Sequence, residues 1–227
     1  MPLILNIETG TEICSVALAK DGQLLALAES DKGMEHGKLL SPFIDKVLKE
    51  QGTTTNNLDA VAVSEGPGSY TGLRIGVATA KGICYGADKP LIAVNSLQSL
   101  AMLAIEQNIA VDLLCPMIDA RRMEVYTAFF DLNGNLTGKV SAQIIEENSY
   151  SELLENKRIA FFGNGAEKCK PLIQSANAIF LDIKHSARGM MLLANKKLKI
   201  NDFVDTAYFE PFYLKDFVAT TSKKRLF

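Results

Sequence analysis

The stretch from Ser64 to Gly76, S-E-G-P-G-S-Y-T-G-L-R-I-G, sets Gly66, Pro67, Gly68, Gly72 and Gly76 between an apolar run at 58–63 and a helix-like stretch at 71–87. A strand, a tight glycine turn and a helix in that order can cradle an anion. Glycines let the backbone take positive φ, and the free N–H groups at the helix start can receive a phosphate. The stretch fits neither well-known phosphate loop: it lacks the Lys-Ser/Thr of G-x-x-x-x-G-K-[ST], and its spacing differs from G-x-G-x-x-G. Gly66, Gly68 and Ser69 therefore carry two readings, a phosphate cradle or a turn whose glycines serve close helix–strand packing.

Two carboxylates end strand-like runs, Glu8 after 3–7 and Asp119 after 114–118. Facing one another across a cleft, they could orient magnesium while glycine turns hold phosphates. The plainer reading is that both are turn-forming polar residues at strand ends. Cys14, Cys84, Cys115 and Cys169 show no C-x-x-C spacing, so neither zinc nor a redox dithiol is signalled. His36 and His185 are too far apart to form a ligand pair on one helix.

The elements that must position these residues are legible in order. Runs at 3–7, 13–19 and 24–30 read as strands, with Asp21-Gly22 as a hairpin turn. A helix at 36–50 shows Leu39, Leu40, Phe43, Ile44, Val47 and Leu48 on one face. A strand at 58–63, the glycine turn, the helix at 71–87, a strand at 91–94 and a helix at 96–107 complete a β-β-β-α-β-α-β-α half. The second half opens alike, with runs at 114–119, 124–130 and 135–145 and a turn at Asn133-Gly134. Residues 158–165 then repeat a strand and a glycine turn. A period of roughly 110 residues predicts two similar α/β lobes, assigned to 1–108 and 109–227, the last segment being a candidate to pack back on the first lobe. The expected fold class is two tandem RNase H-like lobes with mixed sheets flanked by helices.

Among 227 residues the net charge is −2, which argues against a dedicated electrostatic nucleic-acid binder. Lys215 and Lys223-Lys224-Arg225 form a more basic end, either a solvated terminus or a contact for RNA or an acidic partner. No apolar run reaches the roughly 18 residues of a membrane span. The N-terminus has no basic region and meets Glu8 too early for a signal peptide, so a cytoplasmic location is expected.

The runs 5–18 (L-N-I-E-T-G-T-E-I-C-S-V-A-L), 59–76 (D-A-V-A-V-S-E-G-P-G-S-Y-T-G-L-R-I-G) and Ala80-Lys81-Gly82 resemble the TsaB family and its TsaD relatives in the actin-like ATPase superfamily. G-P-G-S-Y-T-G-L-R-I-G is characteristic of the TsaB type. TsaD-like proteins carry a metal on an H-x-x-x-H pair; here Ser96 and Leu100 stand at those positions, and leucine cannot ligate a metal. The superfamily's first-strand aspartate is replaced by Glu8, one methylene longer. The resemblance thus implies a non-catalytic subunit needed for threonylcarbamoylation of the tRNA adenosine beside the anticodon. It implies pairing with TsaD, which would carry ATP and the metal, action of the ATPase TsaE on the pair, and only indirect contact with tRNA. This chain is expected to hold no cofactor of its own. Glu8, Gly66, Gly68, Ser69 and Asp119 would be remnants of a nucleotide site.

Two helices carry the expected partner surface, which could also serve a homodimer. One presents Leu39, Phe43 and Val47; the other presents Leu73 and a row of small residues, Gly72, Gly76 and Ala80, along which a helix could approach closely. The alternative is that both faces pack on their own sheet. A rival class is a free-standing ATPase or kinase using Glu8, Asp119 and the glycine turns. A metallopeptidase is not expected, because no zinc pattern exists.

Overall fold

The computed structural model describes residues 1–33 and 35–215. The basic run 223–225 lies outside them. The chain forms β1 (Leu3–Glu8), β2 (Cys14–Lys20), β3 (Gln23–Ser30), α1 (His36–Glu50), β4 (Ala60–Gly66), α2 (Tyr70–Ala87), β5 (Leu91–Asn95) and α3 (Ser96–Ile105). It continues with β6 (Leu113–Asp119), β7 (Glu124–Thr127), β8 (Ser141–Ile144), α4 (Ser151–Asn156), β9 (Ile159–Phe162), α5 (Ala166–Cys169), β10 (Ala178–Leu181) and α6 (Met191–Lys199).

The strands make two five-stranded sheets, ordered β3-β2-β1-β4-β5 and β8-β7-β6-β9-β10. In each, the first strand pairs antiparallel with the second and parallel with the strand after the helical crossover. The duplication therefore extends from element order to topology, and both repeats have the RNase H-like build. Runs such as A-V-A-V in β4 are apolar without alternation because both faces of the central strands are covered.

On one face of the first sheet, Leu5, Ile7, Val16, Val61 and Val63 pack with Leu40, Ile44 and Val47 of α1 and Val77, Ala80 and Cys84 of α2. The opposite face, with Ile4, Ala17, Ala60, Ala62 and Ile92, is closed by Ala187, Met190, Met191 and Ala194 from the far end of the chain. Conversely, Leu97, Leu100 and Ala101 of α3 pack with Leu114, Ile118 and Phe162 of the second sheet. The halves thus exchange helices, with residues 187–199 packed on the first sheet. Beyond α6 the chain stays there. Val204 N–H donates to Leu91 O at 3.0 Å, Lys81 Nζ to Ala207 O at 2.9 Å, and Phe212 N–H to Glu65 O at 2.7 Å.

The glycines between β4 and α2 do one job in common. The loop after β1 lies directly on the start of α2, with Ser69 N–H donating to Gly10 O at 2.7 Å. A Cβ on Gly68 would sit 2.3 Å from Gly10 O, one on Gly72 2.1 Å from Thr9 O, and one on Gly76 2.2 Å from Thr9 Oγ1. These separations are far inside van der Waals contact, so only hydrogen fits at all three positions. The row expected to receive a partner helix is therefore taken by the chain's own Thr9-Gly10, and the close-packing reading holds at Gly68, Gly72 and Gly76.

The outward face of α2 carries a different small row. Ala78, Gly82 and Gly86 are exposed, and a Cβ on Gly82 or Gly86 would meet nothing within 4 Å. The two kinds of glycine should respond oppositely to the same change. Gly76→Ala should lower stability by roughly 1–3 kcal/mol, the usual cost of overpacking. Gly82→Ala should raise it by up to about 1 kcal/mol through helix propensity. Thermal midpoints of the two variants check this, and the reverse ranking would remove the close-approach explanation.

Candidate functional site at the lobe interface

Between the lobes, at the ends of β1, β4 and β6, lies an open cleft of about 400 Å³. Gly10, Thr11 and Glu12 line it from the β1–β2 loop, Gly68, Ser69, Tyr70 and Thr71 from the start of α2, and Asp119, Ala120 and Arg121 from the end of β6. Tyr126, Asn164 and the C-terminal residues Phe212, Tyr213, Leu214 and Lys215 complete the wall. Ser69 caps α2, its hydroxyl accepting from Gly72 N–H at 3.3 Å.

The cleft gathers Gly68, Ser69 and Asp119 but excludes two residues expected there. Glu8 is fully buried beneath the floor; its Oε1 accepts from Gly10 N–H at 2.6 Å, and its Oε2 has no hydrogen-bond partner. Burial pushes its carboxyl up to about 7, with the Gly10 N–H, the Ser64 hydroxyl and the Thr9 N–H pulling the other way. The cause of its turn is local: Glu8 closes a tight turn onto the amide two residues on. Gly66 is also sealed off, because its φ of +112° is left-handed territory and a Cβ there would lie 2.7 Å from Phe212 O. The C-terminal segment covers this part of the would-be cradle.

Asp119 does face the cleft, but its charge is already met. Lys168 Nζ donates to Asp119 Oδ1, and also to Arg122 O at 2.7 Å and Glu124 O at 2.8 Å. The same Oδ1 accepts from Arg121 N–H at 2.9 Å. A divalent ion here would have to displace an ammonium held by three oxygens, with Glu8 turned away. The residues present do not fit a magnesium–nucleotide complex.

Ser96 and Leu100 are both fully buried on α3, and Leu100 packs in the second sheet's core. Among the described residues, no group of three or more His, Cys, Asp or Glu side chains is placed to hold a metal.

Sequence reasoning missed Arg121, Tyr213 and Tyr70 as cleft residues and Lys168 as the partner of Asp119. Tyr70 and Tyr213 have ring centroids 4.9 Å apart, and Arg74 lies over Tyr70 at 5.4 Å while donating to its hydroxyl at 2.7 Å. Lys215 pairs with Glu124 across the lobes. Only the D-A-R-R run after β6 offered a signal, since the other contacts join segments remote in sequence.

On the expected partner face, Val47, Leu73 and Ala80 are core residues, and Gly72 and Gly76 are buried under Thr9. That leaves Leu39 and Phe43, half-buried on α1. The correction is one of helical phase. The surface left open combines them with half-buried Ile75 and the outward residues Ala78, Gly82, Tyr85 and Gly86 of α2, Tyr85 being 90% exposed.

Residues 31–223 match the family described as TsaD: tRNA N6-adenosine threonylcarbamoyltransferase. The tRNA threonylcarbamoyladenosine biosynthesis protein TsaB of Escherichia coli (strain K12) is 32% identical over 223 residues, covering 95% of this chain and 96% of that protein. Among solved structures, YeaZ from Pseudomonas aeruginosa superimposes with a TM-score of 0.79 at 26% identity, covering 94% of this chain and 100% of that one. The activator of 2-hydroxyisocaproyl-CoA dehydratase from Clostridium difficile, solved with bound ADPNP, has a TM-score of 0.50 at 14% identity, covering 88% and 97%. That last likeness concerns the fold alone.

Two buried titrating groups give this interior a pH signature. Glu8 has a folded value near 7, above its ordinary 4.5, so it binds its proton more tightly folded than unfolded, and its contribution to stability falls as pH rises from about 4.5 to 7. His185, lowered by burial to about 4 from 6.5, works the other way, its contribution rising over pH 4 to 6.5. Subtracting a Glu8→Gln variant from the parent isolates the first. The parent should lose up to about 3 kcal/mol relative to Glu8→Gln between pH 4.5 and 7.5. Parallel stability–pH curves would show that Glu8 is not buried as described.

Proposed function

The chain belongs to the TsaB family of tRNA threonylcarbamoyladenosine biosynthesis proteins, and from that premise we propose that it is the non-catalytic partner that binds and activates TsaD. In this reading TsaD carries the nucleotide, the metal and the transfer chemistry. This chain orders TsaD's cleft, the ATPase TsaE acts on the pair, and tRNA is engaged mainly through the complex. The same face could close a homodimer when TsaD is absent.

The observation that carries the proposal is the outward face of α2. Interior helix glycines cost about 1 kcal/mol each relative to alanine, and among the described residues nothing uses the space beside Gly82 and Gly86. An exposed row of Ala78, Gly82 and Gly86 beside exposed Tyr85 lets the ridge of another helix approach closely, and half-buried Leu39 and Phe43 on α1 add apolar surface in the same lobe. The pairing of Asp119 with Lys168 and the burial of Glu8 support the absence of chemistry within this chain.

Gly82→Arg tests the surface because the side chain has open room in the monomer. It should keep the parent's thermal midpoint to within a few degrees. It should bind TsaD roughly 100-fold more weakly. Reconstituted tRNA modification with TsaD and TsaE should fall to the level seen without this chain. Stoichiometric co-purification of Gly82→Arg with TsaD would contradict the assignment.

A further inference from the structure

Residues 200–215 run from the end of α6 to the cleft, and not one of them is buried. They form neither helix nor strand, apart from a single bridge between Val204 and Leu91. Their attachments to the first lobe are few. Lys81 Nζ, on α2, donates to Ala207 O at 2.9 Å and to Phe209 O at 3.1 Å. Phe212 N–H donates to Glu65 O at 2.7 Å, and the Tyr213 ring lies 4.9 Å from that of Tyr70. Phe209 packs, half-buried, against the first core. Further on, Lys215 pairs with Glu124 at the start of β7, on the second lobe. This thinly held segment nevertheless covers buried structure, since Phe212 O lies directly over Gly66.

A segment with little buried apolar area opens at a fraction of the cost of global unfolding. Here Phe212 and Tyr213 remain 41% and 37% exposed, and Tyr208 is 85% exposed. Seating therefore leans on Lys81, whose ammonium serves two carbonyls through charge-assisted bonds. Lys81 adjoins Gly82 in the outward row of α2. From Tyr70 to Ala87 that helix carries Arg74 and Lys81 and no acid. The charge complement of this face is an acidic side chain. A carboxylate brought to Lys81 would compete with the two carbonyls, because an ion pair is stronger than a bond from an ammonium to a neutral oxygen.

We propose that residues 205–215 are a releasable strap. Seated, it covers the turn between β4 and α2 and ties the two lobes at the cleft. Released, it uncovers that turn while both sheets stay folded. The trigger is a partner helix that lies along the outward row of α2 and offers an acidic side chain to Lys81. That this helix belongs to TsaD rests on the reading above; the opening of the strap does not. By linkage, whatever loosens the strap also favours the partner.

The test is amide hydrogen exchange of the full chain, read at Phe209 and Phe212, whose N–H groups donate to Asp205 O and Glu65 O. In the free chain the two should open together, at least about 100-fold faster than the paired amides of β1 and β4. Lys81→Met keeps the aliphatic stem and removes the ammonium. It should speed both amides about 10-fold, leave β1 and β4 unchanged and keep the thermal midpoint within a few degrees. Lys81→Arg should stay near the parent. Adding TsaD should speed Phe212 exchange in the parent about 10-fold and add nothing in Lys81→Met. Exchange at Phe209 and Phe212 as slow as in β1, or unaltered by Lys81→Met, would overturn the strap. Unaltered or slower Phe212 exchange in a TsaD complex that does form would overturn the trigger. Failure of the complex to form counts against the partner reading instead, and the free-chain rates still decide the strap.

Discussion

The structure depends on the contact between Thr9-Gly10 and the first turns of α2. The loop leaving β1 can lie on this helix only because Gly68, Gly72 and Gly76 present no side chain to it. That contact fixes how α2 is rotated. It turns Val77, Ala80 and Cys84 into the core with α1, and it leaves Ala78, Gly82 and Gly86 outward. The rotation that seals one small row exposes the other, so core packing and the proposed partner surface are two results of one steric constraint.

The same loop decides the chemistry of the cleft. With Gly10 N–H two residues away, the carboxylate of Glu8 folds inward and is covered. On the opposing lobe Asp119 keeps its place at the strand end, yet a lysine from α5 already supplies its positive charge. The C-terminal segment lies across the glycine turn through Phe212 and Tyr213, and Lys215 reaches Glu124 on the second lobe. The cleft lies between the lobes with Asp119 paired to Lys168 and Glu8 buried beneath it, which leaves a metal poorly served.

The duplication was legible because strand order, hairpin turns and strand-ending acids repeat locally in sequence. Topology followed from that order, since a strand–helix–strand crossover gives parallel pairing. The packing of α3 on the second sheet was not legible, because an apolar helix does not state which sheet it covers. The phase of α2 was hidden for a related reason: two small-residue rows run along a helix apolar on most sides, and only the position of Thr9 distinguishes them. The pairing of Lys168 with Asp119 spans 49 residues and has no local pattern. The inward direction of Glu8 depends on the Gly10 amide, which sequence does not orient.

We propose that this chain acts as a partner without metal-dependent nucleotide chemistry of its own. Calorimetric titration of the purified chain with Mg-ATP, together with a turnover assay in the absence of TsaD, tests this most directly. The account predicts no magnesium-dependent binding and no hydrolysis above background. Micromolar binding that needs magnesium, with turnover lost in Glu8→Gln, would contradict it.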